Sequence, residues 1–154
     1  MLKLILHFYF PPLSQNNIER STVGKGGKAN IRYKTVEAKK YKAEILNIVS
    51  NHPDAKKFSE SFDENVHALK IDFTWYIDPQ KLLTKKEKRL SFRGGDWDNF
   101  IKYTQDCIME GLEINDFYIY AGAAKKLPTK GAESFKAEVT RIPLSRINSF
   151  KQFL

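Results

Sequence analysis

Cysteine is almost missing from this chain: Cys107 is the only one in 154 residues. A single thiol excludes an intrachain disulfide framework and a cysteine-based zinc cluster, and it suits a reducing compartment. Long apolar runs are lacking too, and no window approaches a transmembrane span. The stretch from Leu2 to Phe10 comes nearest, but it alternates, with Leu4, Leu6, Phe8 and Phe10 set against Lys3, Ile5, His7 and Tyr9. Pro11-Pro12 follow with no small-residue cleavage site, so the segment reads as a strand, not a signal peptide. His7, His52 and His67 lie far apart without metal-ligand spacing and read as structural or surface residues. No Ser/His/Asp grouping is legible. Gly24-Lys25-Gly26-Gly27-Lys28 lacks the Lys-Ser/Thr ending of a phosphate-binding P-loop and does not match a dinucleotide fingerprint.

Acid is also scarce relative to base. Asp and Glu number 18 against 26 Lys and Arg, a net charge of +8 and a pI near 9.5. The excess is concentrated. Residues 24–42 carry Lys25, Lys28, Arg32, Lys34, Lys39, Lys40 and Lys42 against Glu37, and residues 81–93 carry Lys81, Lys85, Lys86, Lys88, Arg89 and Arg93 against Glu87. The rest of the chain is therefore net acidic. Such segments can be solvated loops. They can equally track phosphates, because each also offers Gly, Ser or Thr groups that contact phosphate readily.

What is present fits one α+β domain, residues 1–154, with a basic mobile segment around 78–95. A strand over 2–10 is followed by a helix over 35–49, with Thr35 as N-cap and Tyr41, Ile45, Ile48 and Val49 in its apolar stripe. Residues 54–65 read as a polar connection. Leu69, Ile71, Phe73, Trp75 and Ile77 alternate with polar residues as in a half-buried strand. Residues 78–93 form a long connection whose basic centre also fits a helix. A second helix runs over 99–110 with Gly111 as its stop. Strands follow over 117–121 and 135–139, joined by a loop containing Lys125, Lys126, Pro128 and Lys130, and the tail from Pro143 has a weak helical pattern. Four strands and two main helices in this order predict a mixed sheet with helices packed on it.

The chemistry concentrates in Asp96-Trp97-Asp98-Asn99-Phe100-Ile101-Lys102, with Asp106 and Asn115-Asp116 beyond. In an extended segment Asp96 and Asp98, two residues apart, point the same way. Close carboxylates repel unless a cation intervenes, and Mg²⁺ is the natural guest: a hard ion held by one or two carboxylates, water and phosphate. Asp98, Lys102 and Asp106 are spaced i, i+4, i+8 along one polar stripe, opposite Ile101, Thr104, Cys107 and Ile108. Lys102 beside such a pair can orient the scissile phosphate or stabilise developing charge. Asp116, past the turn after Gly111, can return to supply a third carboxylate. Plainer roles exist for each: Asp98 as an N-cap, Asp98–Lys102 as a surface ion pair, Asp116 as a turn residue, Cys107 as a small core residue, Trp97 as core or as a base-stacking surface.

These residues resemble the signature of the RusA family of Holliday junction resolvases, often encoded by prophages. The family pattern is Asp-x-Asp-Asn, a lysine four residues after the second Asp, an Asp four further on, a Gly and a later acidic pair. Here it reads Asp96-Trp97-Asp98-Asn99, Lys102, Asp106, Gly111-Leu112 and Asn115-Asp116. Pro11-Pro12…Asn16, Arg32-Tyr33-Lys34 and Lys39-Lys40-Tyr41 are similar to the family's opening. Asn115 stands where many members have Asp, Trp97 where an aliphatic residue is usual, and the basic 78–93 segment is longer than usual.

The resemblance implies a cytoplasmic, bacterial or phage-encoded homodimer that cuts four-way DNA junctions by paired nicks. Asp96, Asp98 and Asp116 would hold Mg²⁺, with Mn²⁺ as a substitute, and Lys102 would be the catalytic lysine. Asn99 would contact DNA, and Lys25, Lys28, Arg32, Lys34, Lys85, Lys86, Lys88, Arg89 and Arg93 would line its path. The alternative is a module that holds branched or single-stranded nucleic acid without cutting it; basic loops that bind a protein partner are a third reading.

Overall fold

A computed structural model describes residues 2–13, 17–23, 30–83 and 97–147, with side chains left out at 20, 22, 23, 30–32 and 97–99. Among these residues the order is β1 (Lys3–Phe8), β2 (Glu19–Val23), β3 (Asn30–Lys34), α1 (Val36–Asn51), α2 (Ala55–Glu60), β4 (His67–Ile77), α3 (Trp97–Gly111), β5 (Ile119–Pro128) and β6 (Ser134–Pro143). Four strands form one mixed sheet in the order β1-β6-β4-β5, and β2 pairs with β3 as a separate antiparallel ribbon. The expected α+β architecture of four sheet strands and two main helices is what forms.

Alternation builds the sheet. In β1 every second residue is buried, Leu4, Leu6 and Phe8, and in β6 the same holds for Phe135, Ala137, Val139 and Arg141. β4 runs antiparallel to β6 and parallel to β5. Its Leu69, Ile71, Phe73, Trp75 and Ile77 share the core face. The opposite face is polar: Lys70 bonds Asp72 at 2.6 Å, and Glu138 receives Lys3 and Lys136, each at 3.1 Å.

The helices cover the apolar face. α1 starts where expected, Thr35 Oγ1 accepting from the Ala38 amide at 3.1 Å, and ends at His52, before Pro53. It buries Ala38, Tyr41, Ile45 and Val49, a helical spacing that forms one stripe. α3 meets it through two buried hydrogen bonds: Tyr41 Oη with Thr104 Oγ1 at 2.7 Å, and Tyr103 Oη donating to the Ala38 carbonyl at 3.0 Å. Thr104, Cys107 and Ile108 are buried on this side, as the stripe predicts. Cys107 is therefore a core thiol, pushed up to about 11 by burial.

Several expectations need correction. Residues 54–65 are not merely a polar connection. Asp54 opens α2, whose Ala55 and Phe58 are buried, and Arg141 stacks on the Phe58 ring while its guanidinium donates to the Ser61 carbonyl. β2 and β3 did not emerge from hydrophobic alternation because their residues, Glu19–Val23 and Asn30–Lys34, are mostly polar or charged. β5 continues through Lys125, Lys126 and Pro128, which the sequence put in a loop. Gly111 is the last residue of α3, but the left-handed turn residue is Glu113, at φ 56°. Gly111 serves packing instead: a Cβ there would lie 3.0 Å from Val49 Cβ and Cγ1.

Candidate active site

The site side of α3 faces away from the core. Lys102 and Asp106 project from it, with side chains 70% and 42% exposed, and Lys102 Nζ lies 3.9 Å from Asp106 Oδ1. Seven residues line one cleft of about 310 Å³ here: Lys102, Asp106, Met109, Glu110, Ile114, Asn115 and Asp116. The helix supplies the first four. The reversal after Gly111, through Glu113, delivers the other three.

Asp116 sits in a 3₁₀ turn, Asp116–Tyr118, immediately ahead of β5, not at the start of the strand itself. The turn's cap is Asn115, whose Oδ1 accepts from the Phe117 amide at 2.9 Å. Asn115 is thus occupied by backbone, and capping is not what Asp116 does.

The electrostatics of the cleft are uneven. Glu110 is paired with Lys42 of α1 at 2.6 Å. Asp106 Oδ1 is shut away from water and has no hydrogen-bond partner among the described residues. Burial holds the Asp106 carboxyl above the usual aspartate range; Lys102 opposes that shift, Asp116 adds to it, and Lys34 opposes it. Lys34, at the end of β3, lies over the Tyr103 ring at 4.9 Å. A basic residue expected on the DNA path is thereby tied to the helix that carries the site.

Asp96, Lys25, Lys28, Lys85, Lys86, Lys88, Arg89 and Arg93 lie outside the described residues. Asp98 and Asn99 fall in the first turn of α3, and Arg32 in β3, with their side chains undescribed. Of the expected site, the structure thus brings Lys102 and Asp116 together. It adds Asp106, Glu110 and Met109 to their surroundings. The signal for Glu110 was in the sequence, since it continues the four-residue spacing from Asp98 through Lys102 and Asp106. Among the described residues no three potential ligands form a metal cluster. The cleft still suits a hard cation: Asp106 and Asp116 line it together, and their like charges repel unless a cation intervenes. His52 and His67 serve local structure, their Nδ1 atoms accepting from the Asp54 and Asp63 amides.

The model of the family described as Endodeoxyribonuclease RusA matches residues 10–140. The chain belongs to the RusA family. No curated protein gave a match. The match runs from just after β1 into β6 and contains every residue of the cleft. The protein is accordingly an endonuclease, a hydrolase acting on DNA, of a family that resolves Holliday junctions and whose nucleases are usually metal-dependent. This displaces the reading as a binding module without catalysis. Among the described residues no helix is long and apolar enough to cross a membrane.

Proposed function

We propose that this RusA-family endonuclease is a Mg²⁺-dependent resolvase that acts as a homodimer and nicks opposing strands of a four-way junction, one per subunit. The observation that carries the reading is the cleft shared by Lys102, Asp106 and Asp116 in a chain of this family. Asp96, Asp98 and Asp116 are its proposed metal ligands, with Mn²⁺ able to replace Mg²⁺. A cation bound there would polarise the phosphoryl oxygen and lower the pKa of water. Lys102, mostly exposed on its helix, reaches the scissile phosphate as a point charge and offsets the charge that grows in the transition state. Asn99 and the basic residues of 24–34 and 85–93 hold the flanking phosphates. A bacterial or phage cytoplasm suits such a nuclease, and the whole chain acts as one domain.

Labelled four-way junctions incubated with Mg²⁺ and either wild type or Asp98→Asn test this. Wild type should give paired nicks and the variant a loss of at least 100-fold, with binding retained. No cleavage by wild type, or equal cleavage by both, overturns the reading. Mass photometry of the unbound protein checks the dimer.

A further inference from the structure

Asp106 has an unusual place in the cleft. One carboxylate oxygen is out of contact with water and accepts no hydrogen bond from any described residue. The other nearby acid of the helix, Glu110, already has Lys42. Among the described residues the cation paired with Asp106 is Lys102, at 3.9 Å, beyond hydrogen-bond length but within an ion pair. With the basic residue N-terminal to the acidic one, this is the weaker order of an i,i+4 ion pair, which contributes little to the helix itself.

We infer that Asp106 is a positioning residue for Lys102: its unsatisfied oxygen draws the ammonium inwards and keeps it in the cleft that Asp116 also lines. The inference rests on the assignment of Lys102 to catalysis. A lysine side chain is flexible, and its charge is useful only if held where the phosphate arrives. A short inward movement of Nζ gives the orphan oxygen a charge-assisted hydrogen bond. Asp106 need not touch DNA or the cation to do this. It directs the group that does.

The test combines a double-mutant cycle with a direct view of the lysine. Asp106→Asn, Asp106→Glu, Lys102→Ala and the Lys102→Ala/Asp106→Asn pair are compared by single-turnover cleavage of a four-way junction, with thermal melting as the control for folding. Asp106→Asn should cut at least 10-fold more slowly, with junction affinity in Ca²⁺ equal to or tighter than wild type. Asp106→Glu should recover part of the rate. In the Lys102→Ala background, Asp106→Asn should cost less than twofold more, because residues acting through one another are not additive. Additive losses, or a wild-type rate in Asp106→Asn, overturn the inference. Independently of cleavage, the ¹³C-dimethyl-lysine NMR signal of Lys102, assigned with Lys102→Arg, should move to the free-lysine position in Asp106→Asn. An unmoved signal overturns the positioning role. If the signal moves and wild type cuts no junction, the functional reading has failed and the contact stands.

Discussion

Among the described glycines, Gly122 is the one where an added carbon should do most harm. It lies in β5 opposite Ile71 of β4, in the parallel pair at the edge of the sheet. A Cβ built on it would sit 2.6 Å from the Ile71 carbonyl oxygen, a backbone atom that cannot rotate away. Relief requires β5 to move off β4. Overpacking of this kind costs typically 1–3 kcal/mol, and a rigid backbone contact belongs at the upper end. Alanine recovers about 0.5–1 kcal/mol of the entropy that glycine loses in a strand. The net for Gly122→Ala is therefore about 2 kcal/mol of destabilisation, or about 4–8 °C in Tm for a chain of this size. Gly131→Ala is the control, because the nearest atom to its added carbon is Thr129 Oγ1 at 3.9 Å; it should be neutral or stabilising by about 0.4–1 kcal/mol. Calorimetric melting of both variants decides. Equal melting of Gly122→Ala and wild type would refute the reasoning, and so would equal losses in the two variants. Because Asp116 lies only three residues before β5 begins at Ile119, Gly122→Ala should also slow junction cleavage at temperatures where it is fully folded.

Burial makes the alkaline limb of stability steep. The neutral Cys107 thiol, pushed up to about 11, supports the fold fully below its ordinary 9.0, and that support is lost as pH rises through 11. Tyr103, raised to about 12 by burial, and Tyr41, raised further by the same cause, act in the same direction; the urea midpoint should fall between pH 9 and 12, and a flat profile would contradict the burial. At pH 8 Cys107 should react with iodoacetamide only after unfolding, so rapid labelling of the native protein would place the thiol elsewhere. Tyr41→Phe removes the 2.7 Å bond to Thr104 and should lower stability by about 0.5–1.5 kcal/mol in urea titration, a loss absent if the bond contributes nothing.

The parts of the fold that were legible share one property: a strong period. Leu4-Leu6-Phe8 and Leu69 to Ile77 alternate, and Ala38, Tyr41, Ile45 and Val49 repeat as a helix. The β2–β3 ribbon has no such period, and its strands are stabilised by pairing with one another. α2 is too short for periodicity to register, and only tertiary contact reveals it, through buried Phe58 and the bond from Ser59 to the Leu112 carbonyl at 2.7 Å. At the site, spacing suggested that Lys102 and Asp116 lie near one another, and they do line one cleft. It left open what Asn115 does, because an Asn can replace a ligand or cap a turn. Here the observed hydrogen bond assigns it to the turn. Spacing also could not reveal that Asp106 Oδ1 accepts no hydrogen bond from any described residue while Glu110 is paired, since Lys42 comes from a different helix.

The crossover between β4 and β5 explains why the cleft lies where it does. Parallel neighbours require the chain to travel back the length of a strand, and α3 makes that journey. Residues 98, 102, 106 and 110 fall on one face of the returning helix, about 6 Å apart along its axis. The reversal after Gly111 lays Asp116 against the C-terminal half of this row, beside Asp106 and Glu110. On the proposed assignment Asp98 would hold the cation and Asp106 would hold the lysine, so the two aspartates should differ in kind. Asp98→Asn should weaken the dependence of cleavage on cation concentration along with the rate. Asp106→Asn should lower the rate and leave the half-saturating Mg²⁺ concentration unchanged within about twofold. A Mg²⁺ titration in which both variants shift equally would make Asp106 a ligand and remove the distinction.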